Sequence, residues 1–96
     1  MKNVLPIGTI VKLKGIKKEM MIFGYYQTSK IGNKLVDYVG VPYPDGNIGP
    51  HVQLGFQEDD IETVLFRGFE SPSFTLLSQE LESVDTKALL AKLEKE

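Results

Sequence analysis

Three prolines and two glycines fall within the nine residues Pro42-Tyr43-Pro44-Asp45-Gly46-Asn47-Ile48-Gly49-Pro50. Proline lacks a backbone N–H and fixes φ, so neither a helix nor a central strand runs through such a stretch. Pro44-Asp45-Gly46 reads as a turn, with Pro presetting φ and Gly accepting a positive φ. The chain is therefore divided near its middle by a shaped loop, and regular structure lies on either side of it.

On the N-terminal side the texture is that of strands. Thr9-Ile10-Val11-Lys12-Leu13 alternates apolar and polar residues and is closed by Gly15. Met20-Met21-Ile22-Phe23-Gly24-Tyr25-Tyr26 is apolar on both sides, as in a strand at the middle of a sheet. Leu35 to Val41 is a third strand, rich in β-branched and aromatic residues. Beyond the loop, His51 to Phe56 predicts a short strand, and Ile61 to Arg67 another, ending at Gly68. The period then changes. Ser71-Pro72 is an N-cap followed by proline at the first helical position, and Phe74, Leu77 and Leu81 share one helix face. Asp85 caps a second expected helix with Leu89 and Leu93. The expected fold is α+β and mainly β: a curled antiparallel sheet or small barrel of about five strands with one or two C-terminal helices. The helices are expected to bury Leu77 and Leu81 against the sheet. A chain of 96 residues with 42% hydrophobic and 25% charged residues has the composition of a single globular domain, here a β-rich part over 1–69 and a helical tail over 70–96. A chain this short supports one core and no large buried cleft.

Charge is unevenly spread. Residues 1–50 carry seven Lys against Glu19, Asp37 and Asp45, or +4, and residues 51–96 carry Arg67 and three Lys against ten acids, or −6. The basic cluster Lys12, Lys14, Lys17, Lys18 contains no Arg for bidentate phosphate contacts, which disfavours nucleic acid as a partner. It suits an acidic protein surface instead, set against the simpler reading that these lysines are only solvated. No signal peptide and no apolar run near the length of a membrane span stands in the sequence, so the expectation is a cytoplasmic protein with no membrane partner.

Chemistry-bearing residues are few. With no Cys and one His there is no disulfide framework, thiolate site or multi-histidine metal site. His51 with Glu58, Asp59 and Asp60 has the residue types of a general base and its orienting carboxylate, but no nucleophile elbow or ordered triad accompanies them. The same acids lack the alternating ligands and glycine of a calcium loop. Gly46-Asn47-Ile48-Gly49 fits neither nucleotide-binding glycine fingerprint. No catalytic residue, metal site or cofactor is expected. Tyr43, held between two prolines, offers a large rigid contact area at low entropic cost and is the candidate anchor for a protein partner; the alternative is that it folds back onto the sheet. The candidate binding set is Tyr43, Asn47, Ile48 and His51 on the loop, with Lys12 and Lys14 steering an acidic partner. The competing reading is a small hydrolase or ligand-binding protein using a pocket beside the Pro42–Pro50 loop and His51.

Several of these residues also form a pattern. Leu5-Pro6-Ile7-Gly8-Thr9-Ile10-Val11-x-Leu13-x-Gly15 is followed by Met21-Ile22-x-Gly24, by Asp37-Tyr38-Val39-Gly40-x-Pro42-Tyr43-Pro44-x-Gly46-Asn47-Ile48-Gly49-Pro50, and by Ile61-x-x-Val64-x-Phe66-x-Gly68-Phe69. From Leu5 to Phe69 the chain resembles the bacterial family called domain of unknown function 4176. Members of that family occur in Gram-positive bacteria, often encoded beside type VII secretion genes and polymorphic toxins. The resemblance implies an accessory, adaptor or chaperone-like protein and carries no catalytic residues. It leaves the C-terminal tail uncovered.

Overall fold

The computed structural model describes residues 1–28 and 35–83. Five strands, β1 (Ile10–Leu13), β2 (Met20–Thr28), β3 (Leu35–Pro42), β4 (Leu54–Phe56) and β5 (Ile61–Phe66), form one antiparallel sheet in the order β4-β3-β2-β1-β5. One helix, α1 (Pro72–Glu82), follows. Ser71 caps it, its Oγ accepting the Phe74 N–H at 3.0 Å, with Pro72 in the first turn as the Ser-Pro dipeptide predicts. The expected second helix at Asp85 lies outside the described residues.

The sheet is open, not a barrel. β4 and β5 are its edges, and each pairs on one side only among the described residues. It is nonetheless strongly curled. A flat sheet would separate the edge strands by about 19 Å, four strand spacings. Gln57 to Asp60 alone joins β4 to β5, and three of those residues, Glu58–Asp60, are wound in a 3-10 turn rather than extended. A tether so short reaches only if the edges bend towards each other, since even fully extended it spans at most about 18 Å.

The expected strand from His51 is shortened to Leu54–Phe56. Pro50–Val52 forms a 3-10 turn instead. The physical reason is Pro50, whose fixed φ suits the first position of a helical turn. The other strand expectations hold, with β2 running two residues beyond Tyr26.

The core is one cluster of Leu5, Val11, Leu13, Met20, Ile22, Tyr38 and Phe56. Tyr38 is its centre: fully buried, with its ring stacked on Phe56 at 5.6 Å and tilted against Tyr25 at 5.8 Å. A buried phenol needs hydrogen-bond partners, and the segment before β1 supplies them. The Leu5 N–H donates to Tyr38 Oη at 3.1 Å, and Tyr38 Oη donates to the Asn3 carbonyl at 3.3 Å. Tyr25 Oη adds a bond to the Leu5 carbonyl at 2.5 Å. Val4, Leu5 and Pro6 are thereby buried against the sheet.

α1 covers less than its pattern predicts. No residue of it is fully buried; Phe74 and Leu81 are half-buried, while Leu77 is 40% exposed and Leu76 more so. The expectation that Leu77 is core is therefore corrected. The N-terminal segment, not the helix, closes the core around Tyr38; Phe74 and Leu77 line a surface hollow with Pro6, Ile7 and Tyr25, and the Leu81 carbonyl accepts from Tyr26 Oη at 3.0 Å.

Candidate functional site

The loop from Pro42 to Pro50 leaves the end of β3, where Pro42 pairs with Met20 at the start of β2. Met20 also pairs with Val11 of β1. That arrangement sets the β1–β2 turn, with Lys14, Lys17 and Lys18, beside the loop at one end of the sheet. The two are tied directly: the Tyr43 N–H donates to the Glu19 carbonyl at 2.9 Å, and Lys18 Nζ pairs with Asp45 at 3.0 Å. The Lys18 hydrogen bond, assisted by its charge, holds the Asp45 carboxyl below the usual carboxylate range.

Within the loop, the Gly46 N–H donates to the Pro42 carbonyl at 2.7 Å, and the Ile48 N–H donates to the Gly46 carbonyl at 3.1 Å. Asn47 Oδ1 accepts from Gln53 Nε2 at 3.2 Å, so Asn47 braces the loop's return. Gly49 has a φ of 149°, and a Cβ there would lie 2.8 Å from the His51 ring. His51 thus folds over the glycine with its side chain exposed. The result is a fastened loop that still presents apolar surface: Tyr43 is 44% exposed and Ile48 63% exposed. Tyr43 does not fold fully back onto the sheet.

The basic residues beside it differ in freedom. Lys12 is half-buried, its Nζ donating to the Lys17 carbonyl at 3.4 Å. Lys14 is exposed, with its backbone N–H bound to the Asp60 carbonyl at 2.9 Å. Five of the six candidate residues, Tyr43, Asn47, Ile48, Lys12 and Lys14, therefore gather at the same end of the molecule, and His51 stands at the loop's exit.

Among the described residues, no hydrogen bond or ion pair joins His51 to Glu58, Asp59 or Asp60. Glu58 accepts the Lys2 and Asn3 N–H groups through its two carboxylate oxygens, at 3.1 and 3.0 Å, anchoring the N-terminal segment. Asp60 caps the 3-10 turn by accepting the Gln57 N–H at 2.9 Å. Asp37 accepts the Glu58 N–H at 2.8 Å. These carboxylates hold backbone rather than an imidazole. Among the described residues, hollows lie along the N-terminal segment, β5 and α1, and His51 lines none of these.

A model of the family described as Domain of unknown function (DUF4176) matches residues 4–74. The chain belongs to this family. No curated protein and no solved structure matches it. The DUF4176 span takes in Leu5, which binds Tyr38, all five strands, the 42–50 loop and the first turn of α1. It also includes Gly68, which geometry explains. The Gly68 N–H donates to the buried Thr9 Oγ1 at 3.0 Å, and a Cβ at Gly68 would lie 2.5 Å from the Ile7 carbonyl oxygen. Only glycine fits there.

One surface of this DUF4176 chain was not legible beforehand. Phe69 is 84% exposed, and Ile7, Val64, Leu65, Phe66 and Leu76 are exposed as well. In the sequence Val64, Leu65 and Phe66 read as part of a strand, with nothing to mark which of their side chains stay exposed. No residue-level signal marks β5 as an edge strand, because its position follows from pairing with β1, more than forty residues away along the chain. Among the described residues, no helix is long and apolar enough to cross a membrane.

Proposed function

We propose that this DUF4176 chain is a non-enzymatic protein–protein interaction module, an adaptor or chaperone-like accessory whose contact surface is the 42–50 loop with its neighbouring lysines. The observation that carries this reading is the combination of restraint and exposure: Tyr43 and Ile48 project from a loop fastened through Glu19, Asp45 and Asn47. Such a loop has little conformational entropy left to lose on binding. Tyrosine in a preordered setting is a characteristic interface anchor. Lys14 and Lys17 beside it favour an acidic partner, chiefly through the rate of encounter. The genomic company of the family supports a cytoplasmic partner among type VII secretion substrates or toxins. The test is affinity capture from the native host with wild-type chain and Tyr43→Ala, at low and high salt. A protein held by the wild type, released by salt and absent from the variant supports the reading; equal capture by both refutes it.

A further inference from the structure

We infer a second binding element: β5 accepts an extended peptide segment, rich in apolar and basic residues, as an added strand on the free edge of the sheet. β5 is paired to β1 on one side, and among the described residues nothing pairs on its other side. It is twice the length of β4, the other edge. It contains neither Lys nor Pro, the residues that most often blunt an edge. What blunting there is comes from Glu62 and from two register shifts against β1. Those shifts also bring Ile61 and Val64 to one groove of about 370 Å3, lined with Leu5, Glu58, Glu62 and Lys2. An added strand satisfies the edge's main-chain groups while alternate side chains enter that groove.

Charge selects the occupant. Glu58, Asp59, Asp60 and Glu62 crowd the start of β5; Glu58 and Asp60 accept backbone N–H groups, and no ion pair engages the four among the described residues. Arg67, at the far end of the strand, is taken by Glu70. Lys2 is the one cationic side chain of the groove. A second copy of this chain is a poor fit. Antiparallel pairing about a twofold axis places a residue opposite itself, so pairing centred on Val64 sets Glu62 against Phe66 and offers each acidic end only an Arg67 already engaged. A segment that alternates apolar and basic residues meets both the apolar floor and the carboxylates.

The experiment uses the full chain and end-blocked eight-residue peptides that alternate Val with Lys or Val with Glu. Calorimetry should show binding of the Lys peptide that weakens with salt, and at least tenfold weaker binding of the Glu peptide. Backbone amides within 61–66 should exchange more slowly when the Lys peptide is bound. Glu62→Lys should weaken binding at least fivefold. A Lys peptide N-methylated on alternate residues should lose binding, because it cannot pair through its main chain. Equal binding of the methylated and unmethylated peptides would reduce the effect to charge alone and overturn strand addition. Self-association that occupies this edge, seen by sedimentation and abolished by Val64→Lys, would overturn the choice of occupant. Tyr43→Ala should bind the Lys peptide as the wild type does; loss of binding in that variant would put the peptide on the loop and overturn the assignment to β5.

Discussion

Tyr38 and Leu5, thirty-three positions apart, meet through a hydrogen bond of 3.1 Å from the Leu5 N–H to the buried Tyr38 hydroxyl. This contact holds the N-terminal segment over the core of the open sheet. Tyr38→Phe keeps the ring but leaves the Leu5 N–H buried without its acceptor, at a cost of about 1–3 kcal/mol. Urea denaturation of the two proteins measures the difference. A loss below the error of the fit would mean that the N-terminal segment contributes nothing through this bond.

The same hydroxyl fixes an alkaline limit. Burial, against a partly offsetting backbone bond to Leu5, pushes the Tyr38 phenol up to about 12. The folded state therefore holds the proton more tightly than the unfolded chain, whose phenols titrate near 10. The contribution is fully present below about pH 10 and is lost as pH rises through about 12. Stability followed by circular dichroism should fall across that window, and the fall should be smaller in Tyr38→Phe.

Gly68 offers a test of close packing. A methyl at this position meets the Ile7 carbonyl oxygen at 2.5 Å, and backbone must move to admit it. Gly68→Ala should cost about 1–3 kcal/mol, as overpacking does. Thermal melting reads the change. An unshifted midpoint would show that the approach of the strand exit to Ile7 is not constrained.

The helix and the core should respond differently to truncation. Leu13, at 2% exposure, should lose about 2–5 kcal/mol on replacement by Ala. Leu77→Ala should cost less, about 1 kcal/mol, since Leu77 keeps 40% of its surface exposed. Equal losses would return α1 to the core.

How far the sequence foretold these results depends on the range of the interactions. Strands β1, β2, β3 and β5 were legible from alternation and β-branched residues, and the helix start from Ser71-Pro72, because those signals are local. β4 was legible as a short strand, but its later start at Leu54 was not, because Pro50 favoured a helical turn over extension. The Tyr38–Leu5 bond and the exposed side chains of β5 were invisible because they depend on which strands become neighbours. The helical period of Phe74, Leu77 and Leu81 correctly marked a helix, but periodicity does not tell how much of that face finds a partner. At the candidate site, Tyr43 and Ile48 were legible from the Pro/Gly setting. The link from Lys18 to Asp45, which ties the basic turn to the loop, was not.

The central claim is that a fastened, exposed Tyr43 anchors a protein partner. Its most direct test is calorimetric titration of wild type and Tyr43→Ala with the acidic partner recovered by capture, with circular dichroism confirming that both are folded. Loss of an interface anchor costs about 2 kcal/mol or more, so the variant should bind about thirtyfold more weakly or worse with an unchanged spectrum. A folded variant with wild-type affinity would contradict the account.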